Sequence, residues 1–589
     1  MMSGPTVRLV ALALVASLAS ACTGGGGGGG GGGNPPPTIS PTISPTSYYL
    51  CPTADSTTSV TVGGSARSEN AMRVAPRSTR GGEQQQYAPR LLAVIYRRGY
   101  AAVQSRAIAS RESLLGAQNV RTLDFHSIGE VEHVMAIDPS RIESAESALR
   151  GQAGVVSVSR VALRRPLAVT TPYFPNNPYF DGFAGTSAPY YETSSIPGEW
   201  DAHATGLEYA FGYSQSGNGS GIVNSNALGN PSVAIAMIDT GQDTAHPELA
   251  GKITRQRCYI TDPNGVQSRS NFTTDPQGHG TDTAGIAADA LGTGLGFAGE
   301  GGNVSLFGYR VFPTPDSYYQ CDQNPNTTDP TCSATTVDIA DAINDAVSAG
   351  ANVISMSLGG SACTTPGVDP DPTEGAAVAN AIASNVIVVA ASGNGGVSTV
   401  DSPACDAGVI AVGATSLDDG TPNGTSATGG NAGGTPASPV EYVASYSNSG
   451  ASCTIRSASC WGIVAPGGDP SGSSDSDDLH WIENIWTSNA DAFSTQDQGN
   501  CGGDYPTGTG PSDCRILIAG TSMATPRVAG AVALLLSVKP SLQSPTAMKA
   551  ALCNYADDLG DPAQGCGRLN VYTSMAHAVG DPSPPTPVP

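Results

Sequence analysis

The sequence predicts an α/β protein with a mostly parallel central sheet, preceded by a small α+β unit. From about residue 190 to 578, apolar strands alternate with helical segments, which is typical of a parallel sheet covered by helices on both faces. Residues 89–163 have instead the order β-α-β-β-α-β of a ferredoxin-like fold. The 589 residues exceed one ordinary domain, so we expect two folded units and an export segment.

Residues 1–21 have the pattern of an export signal. Arg8 precedes an apolar run over residues 9–18 that is too short for a stable membrane helix. The end of this segment has two interpretations. Ala19-Ser20-Ala21 suits an ordinary signal peptidase, whereas small residues directly before Cys22 resemble a bacterial lipobox, in which the cysteine is lipidated and becomes the N-terminus.

The following residues, 22–85, favour the lipidated form. Residues 24–33 are all glycine, and Pro, Thr and Ser dominate to about residue 48. Such a stretch cannot bury a core and acts as a tether, which is expected directly after an anchor. We therefore expect an exported lipoprotein held at the membrane through Cys22, rather than a freely secreted protein.

Charge and cysteine content narrow the functional class. The net charge of -23 argues against nucleic acid as a partner, because phosphate would be repelled. Residues 73–165 carry 14 Lys+Arg and 8 Asp+Glu, whereas residues 166–589 carry 11 and 40, so a basic segment precedes an acidic one. The 13 cysteines show no CxxC pair, and in an exported chain disulfides explain them better than zinc.

The two folded units are predicted at residues 86–165 and 166–578, with a frayed tail at 579–589. In the small unit, the predicted strands are 91–96, 120–125, 131–137 and 154–161, and the helices are 101–115 and 139–149. In the large unit, the predicted strands of the parallel sheet are 233–238, 304–311, 353–357, 386–391, 409–412, 462–465 and 515–518. Predicted helices begin after His279 and span 337–349, 374–383 and 522–537, and surface insertions are predicted at 313–335, 417–440 and 468–513.

Four short strings in the large unit carry side chains suited to acyl transfer. Asp239 ends the strand AIAMIDTG, where a buried carboxylate can orient a histidine. His279 lies between glycines in GHGTDTAG and suits a general base. Ser522, in AGTSMATP, begins a long apolar helix, where free N–H groups can stabilise an oxyanion. Asn394, in AASGNGG, can donate its amide to the same oxyanion. Each string alone also fits a capping or turn residue.

Together, and in the order Asp, His, Asn, Ser, these strings resemble the subtilisin family of serine proteases. The resemblance covers about residues 170–575. Further matching strings are Ser355–Gly360, Ser402–Gly413, Ser445–Gly450 and Val464–Gly467.

The resemblance implies a subtilisin-like three-layer fold and a serine endopeptidase. Asp239, His279 and Ser522 would form the catalytic triad, and Asn394 would complete the oxyanion hole. Ser357, Leu358 and Gly359 would pair with the substrate backbone. No cofactor or catalytic metal is expected for this chemistry, although structural calcium is common in the family. The protein is expected to act on polypeptides as a monomer.

By the same resemblance, the unit at 86–165 would be a propeptide that inhibits the enzyme and is removed by self-cleavage between about residues 163 and 176. Two alternatives remain. A catalytically silent surface lipoprotein could use the fold for binding, and an active enzyme could be a maturation protease rather than a broad degrader.

Some residues depart from the family pattern or extend it. The family usually has histidines where this chain has Asp282 and Arg527, and we expect these two residues to form a salt bridge. Asp401, counted back from Pro403 along the family motif, should lie near the base of the primary specificity pocket and favour substrates with Arg or Lys next to the cut.

The expected disulfides are Cys321–Cys332, Cys363–Cys405, Cys453–Cys460, Cys501–Cys514 and Cys553–Cys566, with Cys51 and Cys258 unassigned.

Overall fold

The protein is described by a computed structural model that covers most of both folded units. It describes residues 87–166, 169–170, 199–214, 222–291, 297–314, 332–420, 434, 439–470, 480–487 and 515–581. The predicted signal, the tether, Cys22 and residues 582–589 of the predicted tail lie outside the described residues, whereas Val579 ends the last helix and Asp581 is buried.

The N-terminal unit has the predicted order β-α-β-β-α-β. Its elements are β1 (Tyr87–Arg97), α1 (Arg98–Leu114), β2 (Gln118–Phe125), β3 (Glu130–Ala136), α2 (Ile142–Leu149) and β4 (Val155–Pro166). The strands form an antiparallel sheet in the order β4-β1-β3-β2. Alternate residues of β1 face opposite sides, so Leu92 and Val94 pack under the two helices while Leu91 and Ala93 pack against the large unit.

The large unit is built on a nine-stranded sheet in the order β15-β14-β13-β11-β6-β9-β7-β8, with β16 also paired to β14. The strands are β6 (Ala234–Asp239), β7 (Ile253–Thr261), β8 (Gln267–Ser270), β9 (Ser305–Arg310), β11 (Val353–Met356), β13 (Ile387–Ala391), β14 (Ile410–Asp418), β15 (Val440–Val443) and β16 (Gly462–Pro466). Only the β14–β15 and β7–β8 pairs are antiparallel. The sheet is therefore mostly parallel, as predicted.

Helices cover both faces of this sheet and give the predicted three layers. They are α3 (Trp200–Thr205), α4 (Leu207–Gly212), α5 (His279–Ala288), α6 (Thr336–Ala349), α7 (Pro372–Ala383), α8 (Thr521–Val538), α9 (Pro545–Cys553) and α10 (Val571–Val579). On β6, Ile235 and Met237 pack toward α5 and α8, whereas Ala236 and Ile238 pack toward α6 and α7. Helix α8 is long and apolar enough to cross a membrane, but 94% of it is buried in this core.

Four short strands lie outside the central sheet. They are β5 (Val169–Thr170), β10 (Ala334–Thr335), β12 (Leu358–Gly359) and β17 (Ile482–Ile485). Strand β18 (Arg515–Ala519) was expected in the parallel sheet, but it pairs antiparallel with β17 and β5. The prediction failed because an apolar run does not specify its partner, and the partner β17 lies inside a stretch predicted to be an insertion.

Three of the expected disulfides are present among the described residues: Cys363–Cys405, Cys453–Cys460 and Cys553–Cys566. Cys258 and Cys332 are each disulfide-bonded as well. The expected Cys501–Cys514 pair, Cys321 and Cys51 lie outside the described residues.

The N-terminal unit docks on α6 and α7 through an interface that buries charge. Arg121 of β2 reaches Asp338 and Asp341 of α6, and burial lowers the pKa of Arg121 to about 9. Glu132 of β3 accepts a hydrogen bond from Thr373 Oγ1 of α7 at 2.9 Å. Burial first, and then Asp371, raise the pKa of Glu132 to about 8.

Candidate active site

The end of β6 and the start of α5 bring Asp239 and His279 together. His279 Nδ1 lies 2.6 Å from Asp239 Oδ1, and both side chains are buried. A carboxylate at this distance only accepts, so Nδ1 carries the proton and Nε2 keeps its lone pair. Gly280 permits the contact, because a Cβ there would overlap the Gly241 carbonyl. Nε2 has no hydrogen-bond partner among the described residues, so it is available as a base.

A second carboxylate joins the turn after β6 to the start of α5. Asp275 accepts hydrogen bonds from Thr240 Oγ1 at 2.8 Å, Gly278 N at 2.8 Å and Thr281 N at 2.7 Å. Thr240 Oγ1 in turn accepts from Gly280 N at 2.8 Å. This network fixes the start of the helix that carries the histidine. The sequence analysis did not identify Asp275, although an Asp shortly before a helix start is a common capping signal.

Ser522 lies in the first turn of α8, where the N–H groups of a helix lack intrahelical partners. Its hydroxyl donates to the Ser357 carbonyl at 3.3 Å, and the Ser357 hydroxyl donates to the Ser522 carbonyl at 2.7 Å. The Ser522 hydroxyl is therefore not hydrogen-bonded to His279 Nε2 in this state. Transfer of its proton to His279 requires that the hydroxyl leave the Ser357 carbonyl.

Asn394 follows β13 and presents a free amide next to Ser522. Its Oδ1 accepts from Thr521 N at 3.0 Å and from Thr521 Oγ1 at 2.8 Å. Since a backbone N–H can only donate, this contact identifies Oδ1, and Nδ2 is the remaining donor. Nδ2 is buried and has no hydrogen-bond partner in the described part of the chain. An orphaned donor beside a helix N-terminus suits a developing oxyanion.

The residues expected to bind substrate backbone lie beside Ser522. Leu358 and Gly359 form β12, which pairs antiparallel with Pro166 and Arg165 of β4. Ala519 of β18, three residues before Ser522, pairs with Val169 of β5. The described chain on each side of residues 167 and 168 is therefore paired with a segment next to Ser522 or Ser357.

Asp401 is close to the Asn394 turn. Its backbone N–H donates to the Ser392 carbonyl at 3.0 Å. A Cβ on Gly393, whose φ is 109°, would overlap the Asp401 carboxylate and the Asn448 amide. The side chain is thus packed against the loop that carries the free amide, and the residue is 7% exposed.

The expected salt bridge between Asp282 and Arg527 is wrong. Arg527 binds Asp201 of α3, with Nε to Oδ2 at 2.8 Å, and also contacts Glu199 and Glu300. Burial lowers the pKa of Arg527, but these three carboxylates raise it above its ordinary value.

Asp282 is buried, and neither of its carboxylate oxygens has a hydrogen-bond partner among the described residues. Burial first, and then Asp289, Asp239 and Asp201, raise its pKa well above the ordinary value, which favours the neutral acid. The prediction failed because helix spacing alone does not show that Glu199 and Asp201, 328 and 326 residues earlier in the chain, supply partners of Arg527.

A group of buried carboxylates lies beyond α5, where Glu248, Asp289 and Glu199 interact electrostatically. Burial, Asp289 and Glu199 raise the pKa of Glu248 to about 10, and burial raises that of Asp289 to about 7. The Glu248 carboxylate lies at the backbone N–H of Phe297, whereas neither oxygen of Asp289 has a hydrogen-bond partner in the described residues. In the described part of the chain, these three carboxylates do not bring their oxygens close enough together to hold a metal ion. The Cys363, Cys405 and Asp406 cluster does not suit a metal, because its cysteines form a disulfide.

Known proteins resemble this chain in sequence and in fold. A family model described as the subtilase family matches residues 230–567. The chain is 29% identical over 345 residues to thermitase of Thermoactinomyces vulgaris, which covers 58% of this chain and 88% of thermitase. It is 30% identical over 344 residues to subtilisin DY of Bacillus licheniformis, covering 58% of this chain and 89% of that protein.

Other matches cover less of the related protein. The match to a thermophilic serine proteinase of Bacillus sp. (strain AK1) is 29% identical and covers 59% of this chain but 63% of that protein. The crystal structure of fervidolysin from Fervidobacterium pennivorans aligns with a TM-score of 0.53 at 18% identity, covering 86% of this chain and 64% of fervidolysin. This last likeness concerns the fold alone.

The contacts of Arg527 predict the outcome of two double-mutant cycles. Arg527→Ala and Asp201→Ala should couple by about 1–3 kcal/mol, because they remove the same buried ion pair. Arg527→Ala and Asp282→Ala should couple less strongly than this, because the two side chains share no hydrogen bond or ion pair and interact only through space. Urea unfolding in a Ser522→Ala background measures both. Stronger coupling to Asp282 than to Asp201 would contradict the arrangement described above.

Proposed function

The chain belongs to the subtilase family of serine proteases, and we propose that it is a serine endopeptidase made as a self-processed precursor. The observation that carries the proposal is that His279, on the helix α5 packed against α8, and Asn394, bonded to Thr521 at the start of α8, each keep a free polar atom within the described part of the chain. His279 offers an unpartnered Nε2 with its Nδ1 held by Asp239, and Asn394 offers an unpartnered Nδ2 among the described residues. One can remove a proton from Ser522 while the other stabilises negative charge on a substrate carbonyl.

The proposed mechanism is acyl transfer. His279 Nε2 takes the hydroxyl proton of Ser522, and Ser522 Oγ attacks the peptide carbonyl. Asn394 Nδ2 and backbone N–H groups at the start of α8 bind the oxyanion, and Asp239 stabilises the imidazolium of His279. The imidazolium then protonates the leaving amine, and water hydrolyses the acyl-enzyme. These steps need no cofactor.

Two alternatives to this function can be tested directly. A silent binding protein would not react with a serine-directed fluorophosphonate probe, whereas an active enzyme is labelled at Ser522. The intact set of Asp239, His279, Ser522 and Asn394 favours the enzyme. A maturation protease would cut one or few sequences in a peptide library, whereas a degradative enzyme would cut many.

The proposal includes self-cleavage between the N-terminal unit and the enzyme. Support comes from the backbone pairings on either side of Ser522, Gly359 with Arg165 and Ala519 with Val169. A chain that enters the site as an added strand on both sides presents the intervening peptide bonds to the serine. The cut is therefore expected between Pro166 and Val169, within the wider range that the sequence alone allowed.

Replacing the nucleophile tests both activity and self-cleavage. The wild-type protein should react with the fluorophosphonate probe and yield a processed form that begins at residue 167, 168 or 169. Ser522→Ala should give only the unprocessed precursor, because the proposed nucleophile is removed. Intact mass and N-terminal sequencing measure the outcome. A processed Ser522→Ala form from protein expressed alone would exclude self-cleavage, and an unlabelled wild type would exclude the enzyme.

Self-cleavage determines what remains at the membrane. Lipidation of Cys22 is part of the proposal, and Cys22 precedes the cut. The anchor then stays with the N-terminal unit, and the enzyme stays at the membrane only while the two parts remain associated. Mass spectrometry of both fragments reports the lipid and its location.

A preference for Arg or Lys beside the cut is proposed from Asp401. A carboxylate near the specificity pocket attracts a cationic side chain. Asp401→Ala should reduce the ratio of kcat/KM for Lys or Arg substrates to that for Phe substrates by about tenfold, the size of one charge-assisted contact. Asp406→Ala serves as the control for removing a nearby carboxylate. An unchanged ratio in Asp401→Ala would contradict the role.

Structural calcium is also part of the proposal, as the family resemblance implies, and no ligand set is assigned to it. An ion that binds only the folded protein stabilises it, so chelation should lower the Tm, and calcium at a hundredfold excess over its Kd should restore about 2.7 kcal/mol. Thermal unfolding with and without a chelator measures the effect. A Tm that chelation leaves unchanged would exclude a structural calcium ion.

A further inference from the structure

The two oxygens of the Asp239 carboxylate have different partners. Oδ1 accepts from His279 Nδ1 at 2.6 Å and from Thr240 N at 2.7 Å. Oδ2 accepts from Thr283 Oγ1 at 3.3 Å, and no other donor to it occurs among the described residues. The side chain is 3% exposed, so bulk water does not reach this oxygen. Without the hydroxyl of Thr283, Oδ2 would be a buried acceptor with no partner, which is a costly state.

Thr283 and His279 lie on the same face of α5. They are four residues apart, which is about one helical turn. One helix therefore presents two donors to one carboxylate, the imidazole to Oδ1 and the hydroxyl to Oδ2. Both donors are buried, and Asp275 fixes the start of the helix that carries them. Both oxygens of the Asp239 carboxylate are therefore held by donors from one fixed helix.

The hydroxyl of Thr283 has one competing acceptor. The Gly280 carbonyl also lies 3.3 Å from Oγ1, a contact that helical threonines commonly make with the preceding turn. A hydroxyl has one proton, and an ionised carboxylate is the stronger acceptor. The rotamer that allows the carbonyl contact is also the one that directs the hydroxyl to Asp239, so the two contacts do not require different side-chain positions.

We propose that Thr283 is a positioning residue for the catalytic pair: its hydroxyl fixes the Asp239 carboxylate so that Oδ1 stays directed at His279 Nδ1. This inference rests on the proposed function. Thr283 is fully buried and acts through Asp239, so it affects the transition state without touching the substrate. Its loss therefore lowers kcat and leaves KM unchanged.

The hydroxyl also affects how strongly Asp239 supports the imidazolium that forms during the reaction. A donor to Oδ2 withdraws negative charge from the carboxylate, which weakens the support that Asp239 gives to the imidazolium. Removing it makes the imidazolium more stable and raises the pKa of the acidic limb of kcat/KM. The elements around Asp239 and His279 carry further charged groups, namely Asp243, Asp275, Asp282, Arg310 and Glu483. Because these groups are the same in the variant and the wild type, a change in the pKa of the acidic limb reports the loss of the Thr283 hydroxyl.

The test compares Thr283→Val, which has the same shape without the hydroxyl, with Thr283→Ser, which keeps it. Thr283→Val should lower kcat roughly tenfold, the effect of one hydrogen bond to a charged group, and raise the acidic-limb pKa by about half a unit. Thr283→Ser should restore both. Thr525→Val removes a hydroxyl that donates to the Thr521 carbonyl, also in a buried helix, and should leave the pKa unchanged.

The outcomes separate this inference from the proposed function. A wild type that the fluorophosphonate probe does not label overturns the function. A labelled wild type together with wild-type kcat and pH profile in Thr283→Val overturns the inference alone, as does a variant that loses only Tm. If Thr283→Val does not fold, Thr283→Ala removes the same hydroxyl. The low-field proton resonance of His279 Nδ1–H in Ser522→Ala precursors gives an independent readout, and it should move in Thr283→Val and not in Thr283→Ser.

Discussion

The buried hydrogen bond between Asp239 and His279 depends on how closely α5 approaches the turn after β6. Gly280 and Gly241 allow that approach, and the Asp275 carboxylate holds the two segments together through Thr240 and the first N–H groups of the helix. Once β6 and α5 are fixed in this way, the parallel neighbour β11 delivers Ser357 and β13 delivers Asn394 to the same end of the sheet. The site follows from parallel strands ending at one edge.

Helix α8 must then bring Ser522 to the same edge while crossing the core. Apolar side chains stabilise most of its length, but Arg527 places a charge within that core. Three carboxylates from α3 and from the segment after α5 compensate this charge, and Glu300 still has a pKa raised to about 7 by burial. These ion pairs connect α8, the helix that carries Ser522, to α3 at the start of the large unit. Such a cluster specifies one arrangement of these helices, since each partner is costly to bury alone.

Local patterns were sufficient to predict the fold class and to find the candidate site. Each of the strings around Asp239, His279, Asn394 and Ser522 spans a strand end or helix start, where neighbours in sequence are also neighbours in space. Partners far apart in the chain were not predictable. The Asp282–Arg527 bridge failed for this reason, and so did the assignment of β18 to the parallel sheet. By contrast, the contact of Thr283 with Asp239 could have been predicted. Thr283 lies four residues after His279 and therefore on the same face of the helix, toward the expected partner of His279.

The N-terminal unit buries charge where it docks, which bears on the proposed self-cleavage. Arg121 and Glu132 have pKa values displaced toward their neutral forms, which means that each charge is less stable in the docked state than in water. In the proposed precursor, the covalent link holds the unit in place, with β4 paired to β12 and β5 paired to β18. The proposed cut between Pro166 and Val169 would remove that link, and the buried charges would then favour separation. A basic unit on an acidic enzyme is attracted at long range, so under this proposal the same precursor can assemble readily and still release the enzyme.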